Sequence, residues 1–146
     1  MLTVTFPPPA FRIRQGHGCE EIFDLVRRKW VALTPEEWVR QNWLAYFINI
    51  LHYPASLIAV ERELQVGERR RRFDVVVFSR QGTPWLLLEC KAHGEPVSDK
   101  TVQQMLSYQS MLGCPVIMVS NGSHHAAWHV QDGQFLPLNK VPAFGS

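Results

Sequence analysis

Two apolar runs, residues 75–78 and 85–88, are joined by a short polar connection in the middle of the chain. Within that connection Gly82 can adopt the positive φ of a hairpin turn, so the pattern predicts two antiparallel strands. A turn centred on residues 81–82 sets the register and places Asp74 opposite Glu89. A bulge in either strand would shift this pairing.

Apolar residues at helical spacing predict one helix before these strands and one after them. Thr34 as N-cap and Pro35 at the first position begin the first helix, which we expect to end near residues 52–54. Ser98 caps the second helix and Gly113 ends it. The predicted buried positions are Val39, Trp43, Tyr46, Phe47 and Ile50 in the first helix and Val102, Met105, Leu106 and Leu112 in the second.

The remaining apolar segments predict further strands. Residues 58–66 alternate weakly and turn at Gly67 into residues 69–78, so that the strand carrying Asp74 is the centre of three antiparallel strands. Residues 116–120 form a strand after the second helix, and the crossover favours a parallel neighbour. The order is therefore helix, three antiparallel strands, helix, strand, followed by a hairpin over residues 127–138.

Length and composition indicate one α/β domain. The 146 residues are 46% hydrophobic, which is enough for one core, and we expect an extended arm over residues 1–20 and a single domain over residues 21–146. The three cysteines form neither a C-x-x-C motif nor an even set, which fits a reducing cytoplasm. Without a signal segment or an apolar run of about 18 residues, we expect neither secretion nor membrane insertion.

Two charges close the second apolar run. Glu89 and Lys91 are two residues apart, so their side chains point the same way from a strand. With Asp74 opposite, two carboxylates and a lysine meet, and like charges so placed are destabilising. Oxygen ligands of this kind suit Mg²⁺ or Mn²⁺. The alternative is a surface pair of Glu89 and Lys91 without function.

Asp74, then Glu89-Cys90-Lys91, then Gln104-x-x-x-Tyr108 on the following helix resemble the PD-(D/E)xK superfamily. The closer resemblance is to the N-terminal nuclease domain of type I restriction enzyme motor subunits, in a small stand-alone form. This resemblance implies a restriction-endonuclease-like fold, with a mixed central sheet flanked by helices.

The resemblance also implies metal-dependent hydrolysis of DNA phosphodiester bonds, in DNA defence or repair. Asp74 and Glu89 would hold Mg²⁺ or Mn²⁺, with the Cys90 carbonyl as a third ligand. Two neighbouring carboxylates favour the protonated form of Lys91, so we expect Lys91 to orient water and stabilise negative charge rather than to act as a base.

Accessory roles follow from the same resemblance. Glu36 or Glu37 would approach the metal from the first helix, although Thr34 and Glu37 also have the spacing of a capping box. Gln104 and Tyr108 are one helical turn apart and would border the site, contacting the substrate backbone. The alternative for this pair is an ordinary helix flank.

Four consecutive arginines precede Asp74. In a strand, Arg70 and Arg72 alternate with Arg69 and Arg71, so we expect the first pair to share the face of Asp74 and to contact DNA phosphates. For the second pair we favour a solvated edge. The net charge of +2 permits nucleic-acid binding without demanding it.

No G-x-x-x-x-G-K-[ST] phosphate loop occurs in the chain, so we expect no ATP-driven activity. The sequence therefore favours a nuclease whose partner is DNA, and cutting both strands of a duplex would favour a homodimer. The alternative is a non-catalytic nucleic-acid-binding or assembly module that retains the fold. A third alternative is a structural domain in which the acidic pair has no role.

Overall fold

The computed structural model describes residues 2–146, which form two sheets and two main helices. The elements are β1 (Ile13–Gln15), β2 (Glu20–Phe23), β3 (Trp30–Ala32), α1 (Pro35–Ala45), β4 (Ile58–Val66), β5 (Arg69–Phe78), β6 (Pro84–Cys90), α2 (Asp99–Leu112), β7 (Val116–Ser120), β8 (His125–Gln131) and β9 (Gln134–Pro137). A π-helical turn, Tyr46–Ile50, extends α1, and a short 3₁₀ turn, Ala55–Leu57, precedes β4.

The larger sheet has six strands in the order β4-β5-β6-β7-β8-β9. All neighbours are antiparallel except β6 and β7, which are parallel and are joined through α2. The predicted order of helix, three antiparallel strands, helix and strand is confirmed, with β5 at the centre of the antiparallel group. The predicted C-terminal hairpin is confirmed as β8 and β9.

A second, three-stranded antiparallel sheet of β1, β2 and β3 precedes α1. Its strands are three or four residues long, and the sequence did not predict that they form a sheet. Part of the segment expected to be an extended arm contributes to this sheet and to the core. β1 pairs with β2, Leu2 is buried, and Phe6 packs edge-on against Trp43.

The two faces of the six-stranded sheet bury different clusters. Val75, Leu86, Leu88 and Met118 pack in the cluster that contains Trp43 of α1. On the other face, β-strand residues pack with α2. They are Phe73, Val76, Leu87, Ile117 and Val119, which share a cluster with Met105. The sheet is therefore the middle layer of the domain, because both of its faces are covered by side chains from helices.

The register of β5 and β6 depends on two irregularities that compensate. The Ser79 N–H donates a hydrogen bond to the Thr83 carbonyl and closes the hairpin loop. The loop is thus one residue longer than the predicted turn, which pairs residue 80 with Thr83. A bulge follows, since Phe78 pairs with Pro84 while Val77 pairs with Leu86. The extra residue on β6 restores the predicted register.

Beyond the bulge, the pairs of Val75 with Leu88 and Val76 with Leu87 follow that register. If this register is continued by one residue, Asp74 lies opposite Glu89.

The predicted helix caps are confirmed, and one buried position is wrong. Thr34 accepts a hydrogen bond from the Glu37 N–H, and Gly113 ends α2 with a left-handed φ of 65°. Ile50 is 46% exposed, because the π-helical turn is wider than an α-helical turn and rotates Ile50 away from the core. Between residues 2 and 146, neither helix has the length and hydropathy needed to cross a membrane.

His125 lies at the start of β8, against the N-terminal segment. Its Nδ1 is 2.7 Å from the Ser120 Oγ, and its ring is edge-on to Phe6 and Trp43. Burial, together with the charge of His124, lowers the pKa of His125 to about 4. The folded protein therefore keeps this imidazole neutral at pH values where the unfolded chain protonates it.

We predict that His125 makes the protein less stable as the pH falls from about 6.5 towards 4, because over that range the unfolded state binds the extra proton. Replacing His125→Gln should remove about 1–2 kcal/mol of the fall in unfolding free energy between pH 7 and pH 5. Urea denaturation at a series of pH values measures this. His17→Gln, at an exposed position, should keep the wild-type pH dependence. Equal curves for wild type and His125→Gln would contradict the prediction.

Candidate active site

Asp74 and Glu89 form a half-buried carboxylate pair on neighbouring strands. Burial, followed by the charge of Asp74 and hydrogen bonding with its side chain, raises the pKa of Glu89 to about 8. The Cys90 N–H donates to Asp74 Oδ2 over 2.7 Å. This bond fixes Asp74 from β6, so the geometry brings the two predicted acids together.

Lys91 follows directly after β6, where its N–H donates to the Ser120 carbonyl over 2.8 Å. Its Nζ lies 3.9 Å from Glu95 Oε2, and its side chain is 30% exposed. The charge of Lys91 opposes the rise in the pKa of Glu89, so the ammonium group acts on the carboxylate pair. The third predicted residue therefore borders the same centre.

The Cys90 side chain is buried, and burial raises the pKa of its thiol well above its usual value. Cys90 can therefore act at this centre only through its backbone. The contact present is the one from its N–H to Asp74, while the proposed carbonyl ligand stays a prediction.

Of the two acids that begin α1, Glu36 faces the centre. Burial, and next the charge of Asp74, raise the pKa of Glu36, while Arg40 and Lys91 oppose that rise. The Glu36 side chain is 47% exposed, so it can reach a ligand at the surface of the site.

Glu37 points away from the carboxylate pair. Its carboxylate accepts hydrogen bonds from Arg27 Nη2 at 3.0 Å and from Gln41 Nε2 at 3.1 Å, and it lies 3.1 Å from Arg40 Nε. Thr34 caps the Glu37 N–H, but its own N–H bonds to the Ala32 carbonyl, so only half of the capping box forms. Glu37 is therefore part of an ion network.

Arg40 is the centre of that network, and sequence reasoning missed it. The side chain is only 4% exposed and lies near carboxylates from three elements. Besides Glu37, its Nη1 is 3.3 Å from Glu61 Oε1 and 3.8 Å from Asp74 Oδ1. Neighbouring acids raise the pKa of Arg40 in spite of burial. The spacing of Arg40 from Glu36 and Glu37 was a local signal, but Glu61 could not be inferred from it.

The network continues into the N-terminal sheet through Asp24, which is fully buried. Asp24 Oδ2 accepts from Arg27 Nε at 2.9 Å and from Gln41 Nε2 at 2.8 Å. Burial would raise the pKa of Asp24, but its hydrogen bonds and the charge of Arg27 lower it overall. Arg27 thereby connects β2 and β3 to α1.

The strands β4 and β5 are irregular at Glu61 and Asp74. Side chains at every second position therefore point to one face of the sheet before these residues and to the other face after them. Ile58 and Val60 pack in the α1 cluster, whereas Val66 packs in the α2 cluster although it has the same parity. Glu61 has a left-handed φ of 52°, and the ladder lacks the pair of Glu61 with Asp74. Asp74 therefore lies at a local break in the strand pair.

Gln104 and Tyr108 lie over the other end of β5, on the α2 face. Tyr108 packs edge-on against Phe73 at 5.5 Å, and the Arg71 guanidinium lies 5.1 Å from its ring centroid. Both helix residues line a groove together with Arg69 and Arg71.

On the opposite face, Arg70 is 65% exposed and pairs with Glu63 at 3.2 Å. Arg72 makes no ion pair within the described part of the chain.

The donor set fits a hard cation such as Mg²⁺ or Mn²⁺. Across residues 2–146 no group of three or more His, Cys, Asp or Glu side chains is arranged to hold a metal ion. Mg²⁺ does not need such a group, because it commonly binds one or two carboxylates and keeps water and phosphate oxygens as its other ligands. Asp74 and Glu89, with Glu36 nearby, supply that number.

Fold and site together define a mixed α/β domain with an acidic centre between two neighbouring strands. Residues 35–142 match the family model described as the type I restriction enzyme R protein N terminus. The chain belongs to this family, which confirms the resemblance to the N-terminal domain of type I restriction enzyme subunits.

A solved structure has the same fold. It is described as a fragment of an HsdR subunit of a type I restriction enzyme from Vibrio vulnificus YJ016, with a TM-score of 0.55 and 18% identity. The match covers 76% of this chain and only 24% of that chain. No curated protein sequence matches the chain. At this identity the structural match supports the fold alone.

We predict that the ion network is a main source of stability. Arg40→Met removes one of the two cations that pair with Glu37 and Glu61, so Arg27 alone would offset these acids, and the unfolding free energy should fall by about 3 kcal/mol or more. Arg14→Met removes the exposed pair with Glu21 and should cost less than about 1 kcal/mol. Urea denaturation compares the two variants. Equal losses would contradict a special role for the buried network.

Proposed function

We propose that this domain is a Mg²⁺- or Mn²⁺-dependent nuclease that hydrolyses DNA phosphodiester bonds, in DNA defence or repair. The observation that carries the proposal is the half-buried pair of Asp74 and Glu89 beside Lys91, in a member of the type I restriction enzyme R protein N-terminal family. We assign the fold to the restriction-endonuclease-like class, because three antiparallel strands carry the acids and a crossover helix follows.

Asp74 and Glu89 would hold the cation, with the Cys90 carbonyl as a third ligand. A bound divalent cation lowers the pKa of a coordinated water and neutralises charge on the phosphate. The Cys90 N–H keeps Asp74 Oδ2 in place, and Arg40 attracts its other oxygen. The pair is thus oriented before a ligand arrives, which reduces the reorganisation that binding requires.

Lys91 would orient the attacking water and stabilise negative charge that develops on the phosphate. Its side chain is partly exposed, its Nζ lies 3.9 Å from Glu95 Oε2, and its charge acts on Glu89. Glu36 is the accessory acid that we propose on the helix side. Its exposed carboxylate lies near Asp74 and is not part of the buried hydrogen bonds that hold Glu37.

The DNA strand would approach along the arginine run, with Arg70 and Arg72 as the proposed phosphate contacts. These are exposed strand residues two positions apart, so they present two charges about 7 Å apart along the strand. No ATP is required for this chemistry. Cutting both strands of a duplex would use two copies of the domain as a homodimer.

A second candidate is a non-catalytic nucleic-acid-binding or assembly module. Two features favour it: the described residues offer no third side-chain ligand in a metal-binding arrangement, and Asp74 Oδ2 already accepts a hydrogen bond. Cleavage and metal binding separate the two candidates.

We predict metal-dependent cleavage of plasmid or single-stranded DNA that EDTA abolishes. Asp74→Ala and Lys91→Ala should each lower the rate by about 100-fold or more, as expected for groups that act on the reacting atoms. Gel electrophoresis measures cleavage, and calorimetry measures Mg²⁺ or Mn²⁺ binding.

Exposed residues of α2 provide matched controls, and Asp99→Ala and Lys100→Ala should keep wild-type rates. Thermal unfolding confirms that the variants fold. Equal background cleavage in wild type and variants, or DNA binding without metal binding, would favour the binding module.

A second prediction separates the two roles of Lys91. Lys91→Arg keeps a positive charge but cannot act as a base near neutral pH, because arginine stays protonated. If Lys91 orients water and stabilises charge, Lys91→Arg should retain measurable cleavage, about 10-fold or more above Lys91→Gln. Single-turnover rates at saturating metal measure the difference. Equal loss in both variants would assign Lys91 as the base.

A further inference from the structure

A groove of about 280 Å³ lies between β5 and α2, away from the carboxylate pair. Its polar lining consists of Arg69 and Arg71 from the strand and Gln104, Ser107 and Tyr108 from the helix. None of the described carboxylates pairs with Arg69 or Arg71, and Gln104 makes no side-chain hydrogen bond with the described residues. The groove therefore presents two cations without a carboxylate partner and an amide side chain without a hydrogen-bond partner.

We propose that this groove binds the phosphates of the DNA strand that the domain cuts. The inference rests on the proposed function and moves its main phosphate contacts from Arg70 and Arg72 to the opposite face of the strand. Phosphate is the ligand chemistry indicated, because guanidinium groups bind phosphate oxygens in a charge-assisted geometry. Base stacking is not indicated, since Phe73 and Arg71 already lie against the Tyr108 ring.

Tyr108 gives Arg71 a defined position. The guanidinium lies 5.1 Å from the ring centroid, within the range of a cation–π contact. Tyr108 is in turn fixed by its edge-on contact with Phe73. Arg70, by contrast, is largely exposed and shares its charge with Glu63. The held and unpaired arginine loses less entropy when it binds phosphate, so the α2 face has the better phosphate site.

The groove is on the same side of the sheet as the Glu89 side chain. Leu87 packs in the α2 cluster, and Glu89 follows it by two residues. Arg71 and Arg69 are three and five residues before Asp74, or about 10 and 16 Å along an extended strand.

The test compares two double variants that remove equal charge from opposite faces of one strand. Arg69→Gln with Arg71→Gln alters the groove, and Arg70→Gln with Arg72→Gln is the matched control. Fluorescence anisotropy in EDTA measures binding of a labelled single-stranded DNA oligonucleotide over a series of salt concentrations. We expect the groove variant to bind at least about 10-fold more weakly than the control, with a salt slope about 1.4 smaller.

Equal weakening in both variants, or a larger loss in the control, would overturn the proposal and leave net charge or the Arg70 face as the explanation. Tighter, groove-dependent binding of an RNA oligonucleotide of the same sequence would overturn DNA as the ligand. Because EDTA prevents cleavage, the outcome is separate from the nuclease assay. Wild-type cleavage with unchanged binding in the groove variant would refute the groove alone, whereas groove-dependent binding without any cleavage would refute the nuclease alone.

A third variant tests whether Tyr108 acts through Arg71. Tyr108→Leu should weaken DNA binding about 3-fold in the wild-type background, because Arg71 loses its aromatic partner. The same change in the Arg71→Gln background should have no further effect. A comparable loss in both backgrounds would show that Tyr108 does not position Arg71. Thermal unfolding of each protein checks that the packing on Phe73 survives.

Discussion

The buried ion network around Arg40 is the constraint on which the rest of the structure depends. Arg27 and Arg40 are the only cations that it contains among the described residues, and each contacts acids from different elements. Removing charged groups from water is costly unless every one is paired, so the elements that carry them must meet in one arrangement. The N-terminal sheet, α1, β4 and β5 are fixed relative to one another by this requirement.

The network also leaves the candidate site with excess negative charge. Arg27, Arg40 and Lys91 face seven carboxylates, which are Asp24, Glu36, Glu37, Glu61, Asp74, Glu89 and Glu95. Burial first, and this excess of negative charge second, raise the pKa of Glu89, because a proton on Glu89 removes a buried charge and relieves part of the excess. A divalent cation would relieve more. The same charge balance that stabilises the fold thus makes one end of it receptive to a hard cation.

Local signals determined how much could be predicted from the sequence. The helix caps and apolar runs fixed the main elements, since each depends on neighbouring residues alone. The predicted register of β5 and β6 was right for Val75 with Leu88 and Val76 with Leu87 although the turn was one residue out, because the bulge at Trp85 compensated. The distinction between Glu36 and Glu37 could not be made in advance. It depends on Arg27, which reaches Glu37 from a loop between two short strands.

The break at Glu61 and Asp74 limits what strand alternation can say about the arginine run. Alternation holds within residues 69–73, so Arg69 and Arg71 share the α2 face with Phe73. It does not carry across Asp74, because the buried clusters exchange faces there. The prediction that Arg70 and Arg72 share a face with Asp74 therefore stays a prediction. On the α2 face, Leu87 and Phe73 lie in one cluster, which connects the Arg71 groove to the strand that carries Glu89.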